Sequence, residues 1–162
     1  MYFTYTGETL EASLIALALF LIAGITDYLD GYFARKTQTE SSFGALLDLL
    51  ADKLLVCTIL VWLVFIEQNL YLTIPSLVIV SRELMISSIR QYIVETLGQN
   101  RMKVSNAGKS KTTVQFVAIS LLIIADNFGM LFNFLSIFMI WVAAFISLFS
   151  IITYIKEWKE FF

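Results

Sequence analysis

The chain has 162 residues, of which 59% are hydrophobic, with a formal net charge of -2, one cysteine, one proline and no histidine. Its mean hydropathy of +0.81 excludes an ordinary soluble domain. The missing histidine and second cysteine exclude histidine general bases, Ser-His-Asp triads, histidine-ligated zinc and intrachain disulfides.

Residues 1–9 are polar and aromatic, without the basic start and small-residue cleavage site of a removable signal peptide. The first apolar run extends from about Leu10 to Ala34, long enough to span a bilayer as a helix. A second runs from about Phe43 to Ile66. A third covers Leu70 to Leu97, with Pro75 near its start, where a kink is tolerable. After a polar, basic connector, Gly98 to Lys111, a fourth run covers Thr112 to Ala125 and extends backwards over Lys109–Lys111 if those side chains snorkel or line a cavity. The fifth goes from about Met130 to Ile155 and leads into an interfacial tail. These runs predict an all-α fold, a polytopic membrane helix bundle of five spanning helices forming one domain over residues 1–162. Cys57 lies in an apolar run and reads as a packing residue.

Basic residues set the expected orientation. Arg35, Lys36, Arg101, Lys103, Lys109, Lys111, Lys156 and Lys159 all fall on one side, while segments 1–9, Glu67–Asn69 and Asp126–Gly129 contain no Lys or Arg. The positive-inside rule puts the basic side in the cytoplasm and the N terminus outside. The basic residues make no groove of the kind that binds nucleic acid, so nucleic acid is not an expected partner.

Four carboxylates stand out against this apolar background. Asp27 and Asp30 are three residues apart, and Asp48 and Asp52 four apart, so on a helix each pair projects from one face. The short polar loop between the two helices, Lys36 to Phe43, lets them fold back antiparallel and bring the pairs together. Clustered carboxylates in a poorly solvated site repel one another, and divalent cations bound through oxygen turn that repulsion into coordination. Structural ion pairing is the plainer reading of any one of these acids, but four in this spacing point to a site for one or two metal ions. Lys53, Arg82, Glu83 and Arg90 are further charges inside the spans.

The series Asp27, Asp30-Gly31, Ala34-Arg35, Gly44, Asp48 and Asp52 resembles the signature of the CDP-alcohol phosphatidyltransferase family, with every fixed position filled. The resemblance implies an integral-membrane enzyme that moves a phosphatidyl group from a CDP-linked donor to an alcohol and releases CMP. It implies two ions, Mg²⁺ or Mn²⁺, held by Asp27, Asp30, Asp48 and Asp52, with Asp52 also the general base. It implies a donor pocket at Asp30, Gly31, Ala34, Arg35 and Gly44, although helix packing alone would also explain the small residues. Membrane lipid surroundings and a homodimer follow in the same way, as does an inner-membrane location with the site facing the cytoplasm.

Ala51-Asp52-Lys53, Ser81-Arg82-Glu83-Leu84, Arg90 and Gly108-Lys109-Ser110-Lys111-Thr112-Thr113 are similar to segments of the bacterial phosphatidylglycerophosphate synthase branch. That similarity implies CDP-diacylglycerol as donor and glycerol 3-phosphate as acceptor. Arg82, Arg90, Lys109 and Lys111 are the candidates for binding the acceptor phosphate, since arginine offers a fork and lysine a point charge. For Lys109 and Lys111 a topological role beside anionic headgroups stays open. The same chemistry with a cardiolipin or phosphatidylinositol-phosphate synthase acceptor, or a small cation channel, are the rival readings. The family has six spanning helices, one ahead of the motif. Here the first span already carries it, so the reading expects that helix to be missing.

Overall fold

The computed structural model describes the backbone of residues 10–37, 42–97 and 106–159, and side chains for 10–26, 29, 50, 51, 53–89, 91, 92 and 111–152. The described residues form five long helices, α1 (Leu10–Thr37), α2 (Ser42–Glu67), α3 (Leu70–Leu97), α4 (Asn106–Ile124) and α5 (Met130–Lys159), with one 3-10 turn at Ala125–Asn127. Four of them match the apolar runs to within a few residues. The exception is α4, which begins at Asn106 and so takes Lys109 and Lys111 into the helix instead of the connector.

The turns have local causes. At the end of α2 the chain takes a left-handed step at Gln68, φ 46°, whose N–H donates to the Val64 carbonyl at 3.1 Å. The Asn69 side chain then accepts the Tyr71 N–H at 2.9 Å and caps α3. Between α4 and α5 the left-handed position is Gly129, φ 85°, a conformation that glycine adopts without steric cost.

Helices alternate in direction, so α1, α3 and α5 run one way and α2 and α4 the other. Two contacts fix the antiparallel register of α1 on α4: Asn127 Nδ2 donates to Ser13 Oγ at 2.9 Å, and Phe20 stacks on Phe116 with ring centroids 4.4 Å apart. The central helix is α5, packed on α3 and α4. Its inner seam is Ser136, Ile140, Ala143, Ser147 and Ser150, all buried. Their alternating spacing of four and three keeps one face on the neighbouring helices, and small residues allow close approach. Ser147 Oγ accepts from Gln115 Nε2 at 3.3 Å across the α4–α5 contact.

Pro75 sits inside α3 and is buried. Lacking an N–H, it leaves the Tyr71 carbonyl without its helical donor. The indole of Trp141, on α5, fills that place with an N–H bond to Tyr71 O of 3.0 Å. The opposite surface of α5 is apolar and exposed, with Phe134, Phe138, Phe145 and Phe149 turned outward. Large apolar side chains covering a face in this way suit lipid and not water. Two segments among the described residues, Leu70–Ile89 and Met130–Ile152, are long and apolar enough to cross a bilayer.

Candidate active site

The polar interior of the bundle is built around Glu83. Its carboxylate, on α3, binds the ammonium groups of Lys53 from α2 and Lys111 from α4, and its Oε1 accepts from Arg82 Nη1 at 3.2 Å. Arg82 reaches α5 as well, donating through Nη2 to Ser150 Oγ. Three helices therefore meet at a single acid, and Arg82 ties the fourth, α5, to it. Charged groups this deep in an apolar bundle are expensive unless paired, and Glu83 offsets the cost for three cations at once.

The four members of the cluster are not equally covered. Side-chain exposure is 2% for Lys111 and 5% for Glu83, and 4% for Arg82, against 21% for Lys53. Beside the cluster lies a cavity of about 400 Å³, lined on its polar side by Lys53, Glu83, Thr112, Thr113 and Gln115 and on its apolar side by Gly24, Ile25, Phe116 and others from α2 and α4. Part polar and part apolar, such a lining suits a ligand with a charged head and a greasy body.

The predicted acids stand on α1 and α2. Asp27 and Asp30 lie on α1 about one and about two turns beyond Gly24 toward its C-terminal end. The antiparallel register of α1 on α4 brings that segment level with the first turns of α4, where Lys111 stands. Asp48 and Asp52 lie on α2, with Asp52 next to Lys53 in sequence, and α1 and α2 pack against each other. The side chains of Asp27, Asp30, Asp48 and Asp52 fall outside the described residues, as do those of Ala34, Arg35, Arg90 and Lys109 and the surroundings of Gly31 and Gly44. For a divalent metal the donor chemistry fits, since all four acids supply hard oxygen ligands and sit at helical spacing on two adjoining helices.

Of the residues expected to bind an anionic acceptor, Arg82 and Lys111 are brought together, but both are buried against Glu83 and neither lines the cavity. The residue that does line it, Lys53, stands in the sequence reading as a charge inside a span and as the end of the Ala51-Asp52-Lys53 segment, with no part in acceptor binding assigned to it. Its position directly after Asp52, and the presence of a lone acid at Glu83, were the signals that could have marked the pair.

A bundle of long helices with an apolar outer face and a charged cluster buried beside an open cavity is a helical membrane protein with a polar site among its helices. The chain belongs to the CDP-alcohol phosphatidyltransferase family, whose model matches residues 1–149. It is thus a transferase by descent. It is similar to a CDP-diacylglycerol–glycerol-3-phosphate 3-phosphatidyltransferase of Haemophilus influenzae, with 38% identity over 145 residues, 90% of this chain and 77% of that one. Proteins of the same description from Wigglesworthia glossinidia brevipalpis and Rickettsia bellii are 32% identical over 94% of this chain and 83% of theirs, and 34% identical over 93% and 82%.

Proposed function

We propose that this chain transfers the phosphatidyl group of CDP-diacylglycerol to glycerol 3-phosphate, giving phosphatidylglycerol phosphate and CMP. The observation that carries the reading is the description shared by relatives that align over most of this chain. The cationic surplus of the buried cluster, three cations to one carboxylate, agrees with an anionic acceptor.

In the reaction, a hydroxyl oxygen of the acceptor attacks the phosphatidyl phosphorus, the bond to the bridging oxygen of the pyrophosphate breaks, and CMP departs. Asp52 takes the proton from the attacking hydroxyl. Asp27, Asp30, Asp48 and Asp52 would hold the divalent ions, which when bound supply charge neutralisation at the pyrophosphate. Asp30, Gly31, Ala34, Arg35 and Gly44 form the donor pocket on α1 and α2, with the small residues letting the nucleotide approach the helix backbone. Arg82, Arg90, Lys109 and Lys111 supply the positive field around the acceptor phosphate. The chain acts as one integral-membrane domain, in the inner membrane and as a homodimer, with the Arg35 end of α1 toward the cytoplasm, where the donor and acceptor head groups are available.

The test is a product assay with purified chain, CDP-diacylglycerol and glycerol 3-phosphate, following CMP release and separating the lipid products by thin-layer chromatography. Asp52→Asn is expected to lower turnover by about a hundredfold or more while leaving donor binding measurable. Near-normal turnover in that variant would refute the base assignment, and wild-type chain that makes no phosphatidylglycerol phosphate would refute the acceptor.

A further inference from the structure

The cavity wall raises a question that the acceptor candidates leave open, namely which cation a substrate meets. Arg82 and Lys111 are the obvious answers by residue type. Both, however, are covered, and each already directs its charge to Glu83. Lys53 combines contact with Glu83, partial exposure and a place in the cavity lining.

We propose that Lys53 is the cation this site presents to the anionic group of the acceptor, and that Glu83, backed by Lys111 and Arg82, is the positioning residue that aims it. The inference rests on the reading of the reaction given above. Three features support it. First, Glu83 is held from behind by two buried cations on α3 and α4, so its carboxylate is anchored before Lys53 reaches it. Second, lysine has a flexible stem of four carbons, and an ammonium left alone at a cavity wall would sample many positions; a fixed carboxylate limits them. Third, with Lys111 and Arg82 also at Glu83, the carboxylate is more than neutralised, so the Lys53 charge is not cancelled by its partner and remains available to an anion. Thr112 and Thr113 line the same wall, on the turn of α4 directly after Lys111.

Lys53 thereby joins the two halves of the site. Its neighbour in sequence, Asp52, is the proposed base, so the same turn of α2 would supply both the group that takes the acceptor's proton and the group that holds the acceptor's charge.

The experiment measures KM for glycerol 3-phosphate and for CDP-diacylglycerol separately, with CMP release as the readout, in wild type, Lys53→Met, Lys53→Arg, Glu83→Gln and the Lys53→Met/Glu83→Gln double variant, at equal amounts of monodisperse protein. Lys53→Met is expected to raise the acceptor KM about tenfold or more with the donor KM changed less than about twofold. Lys53→Arg, which keeps the charge, is expected to stay within a few fold of wild type. Glu83→Gln is expected to raise the acceptor KM in the same direction, and the double variant to be no worse in acceptor KM than Lys53→Met alone, because Glu83 acts through Lys53. If Glu83→Gln does not fold, Glu83→Asp replaces it in the same comparison. An unchanged acceptor KM in Lys53→Met, or a double variant in which the two KM effects add, overturns the proposal. A wild type that releases CMP with no dependence on glycerol 3-phosphate overturns the reading of the reaction, and this inference with it.

Discussion

Replacing Gly24 by alanine tests whether the cavity has the shape described. A Cβ at Gly24 would fall 2.5 Å from Phe116 Cζ and 3.4 Å from Cδ2, and closer still to Cε2. A ring tip can usually yield, but this one is stacked on Phe20, which is itself almost fully buried. Phe116 must therefore slide off its partner or push into the cavity that it lines with Gly24. Overpacking of this kind costs about 1–3 kcal/mol, and the lost stacking about 0.5–1.5 kcal/mol. The better helix propensity of alanine returns up to about 1 kcal/mol. The net is about 2 kcal/mol, a fall of roughly 4–8 °C in Tm for a chain of this size. Thermal unfolding in detergent measures it, and turnover with CDP-diacylglycerol should fall with it because the displaced ring narrows the cavity. In a Phe116→Leu background the same substitution should cost clearly less. A Gly24→Ala chain with unchanged Tm and turnover, or one whose loss is the same with and without the Phe116 ring, would refute the packing argument.

Two further outcomes concern stability. At the last residue of α2, beyond the apolar run, burial and the nearby Asp126 carboxylate push the Glu67 carboxyl up from its ordinary 4.5 to about 7. The folded chain therefore holds that proton more tightly than the unfolded one, and the contribution to stability is full below pH 4.5 and lost as pH rises through about 7. Glu67→Gln should flatten the Tm profile across this window, and a Tm that still falls equally with pH would show that Glu67 is not the group responsible. Trp141→Phe should leave the Tyr71 carbonyl without a donor beside Pro75 and cost about 1–2 kcal/mol by thermal unfolding. Pro75→Ala, which restores the helical N–H, should make the same Trp141 substitution milder.

The helices were legible because apolar runs as long as those of α1, α2, α3 and α5 have few other ways to satisfy their backbone in a bilayer. The start of α4 was not. Lysines at 109 and 111 read as a polar connector that joins the fourth span only if their side chains snorkel or line a cavity, and the structure supplies another reason, the partner Glu83 that allows Lys111 to be buried inside the helix. The motif acids were legible from spacing alone, since helical periodicity places residues three and four apart on one face. The Glu83 hub was not, because its three cations come from α2, α3 and α4, and no local pattern encodes a contact between residues about thirty positions apart. Trp141 was opaque for a similar reason: its role exists only because Pro75, on another helix, removes a donor.

The distribution of charge along the helices explains why Lys53 and Glu83 pair. α1 and α2 carry the four motif acids, and the first turns of α4 together with α3 from its middle onward carry the cations Arg82, Arg90, Lys109 and Lys111. Lys53 is the cation that follows the two motif acids of α2, and Glu83 is the acid next to Arg82 on α3. The two meet across the α2–α3 contact. Breaking a buried ion pair costs about 3–5 kcal/mol when it strands an uncompensated charge, and the two sides of this pair differ in what they would strand. Without Lys53, Glu83 keeps two cations and stays compensated; without Glu83, three like charges are left in the interior. An element held for stability alone would be hard to remove from either side. The asymmetry marks Glu83 as the member the fold depends on and any one of its three cations as the one it can spare, and among those three Lys53 is set apart by its exposure and its place in the cavity lining.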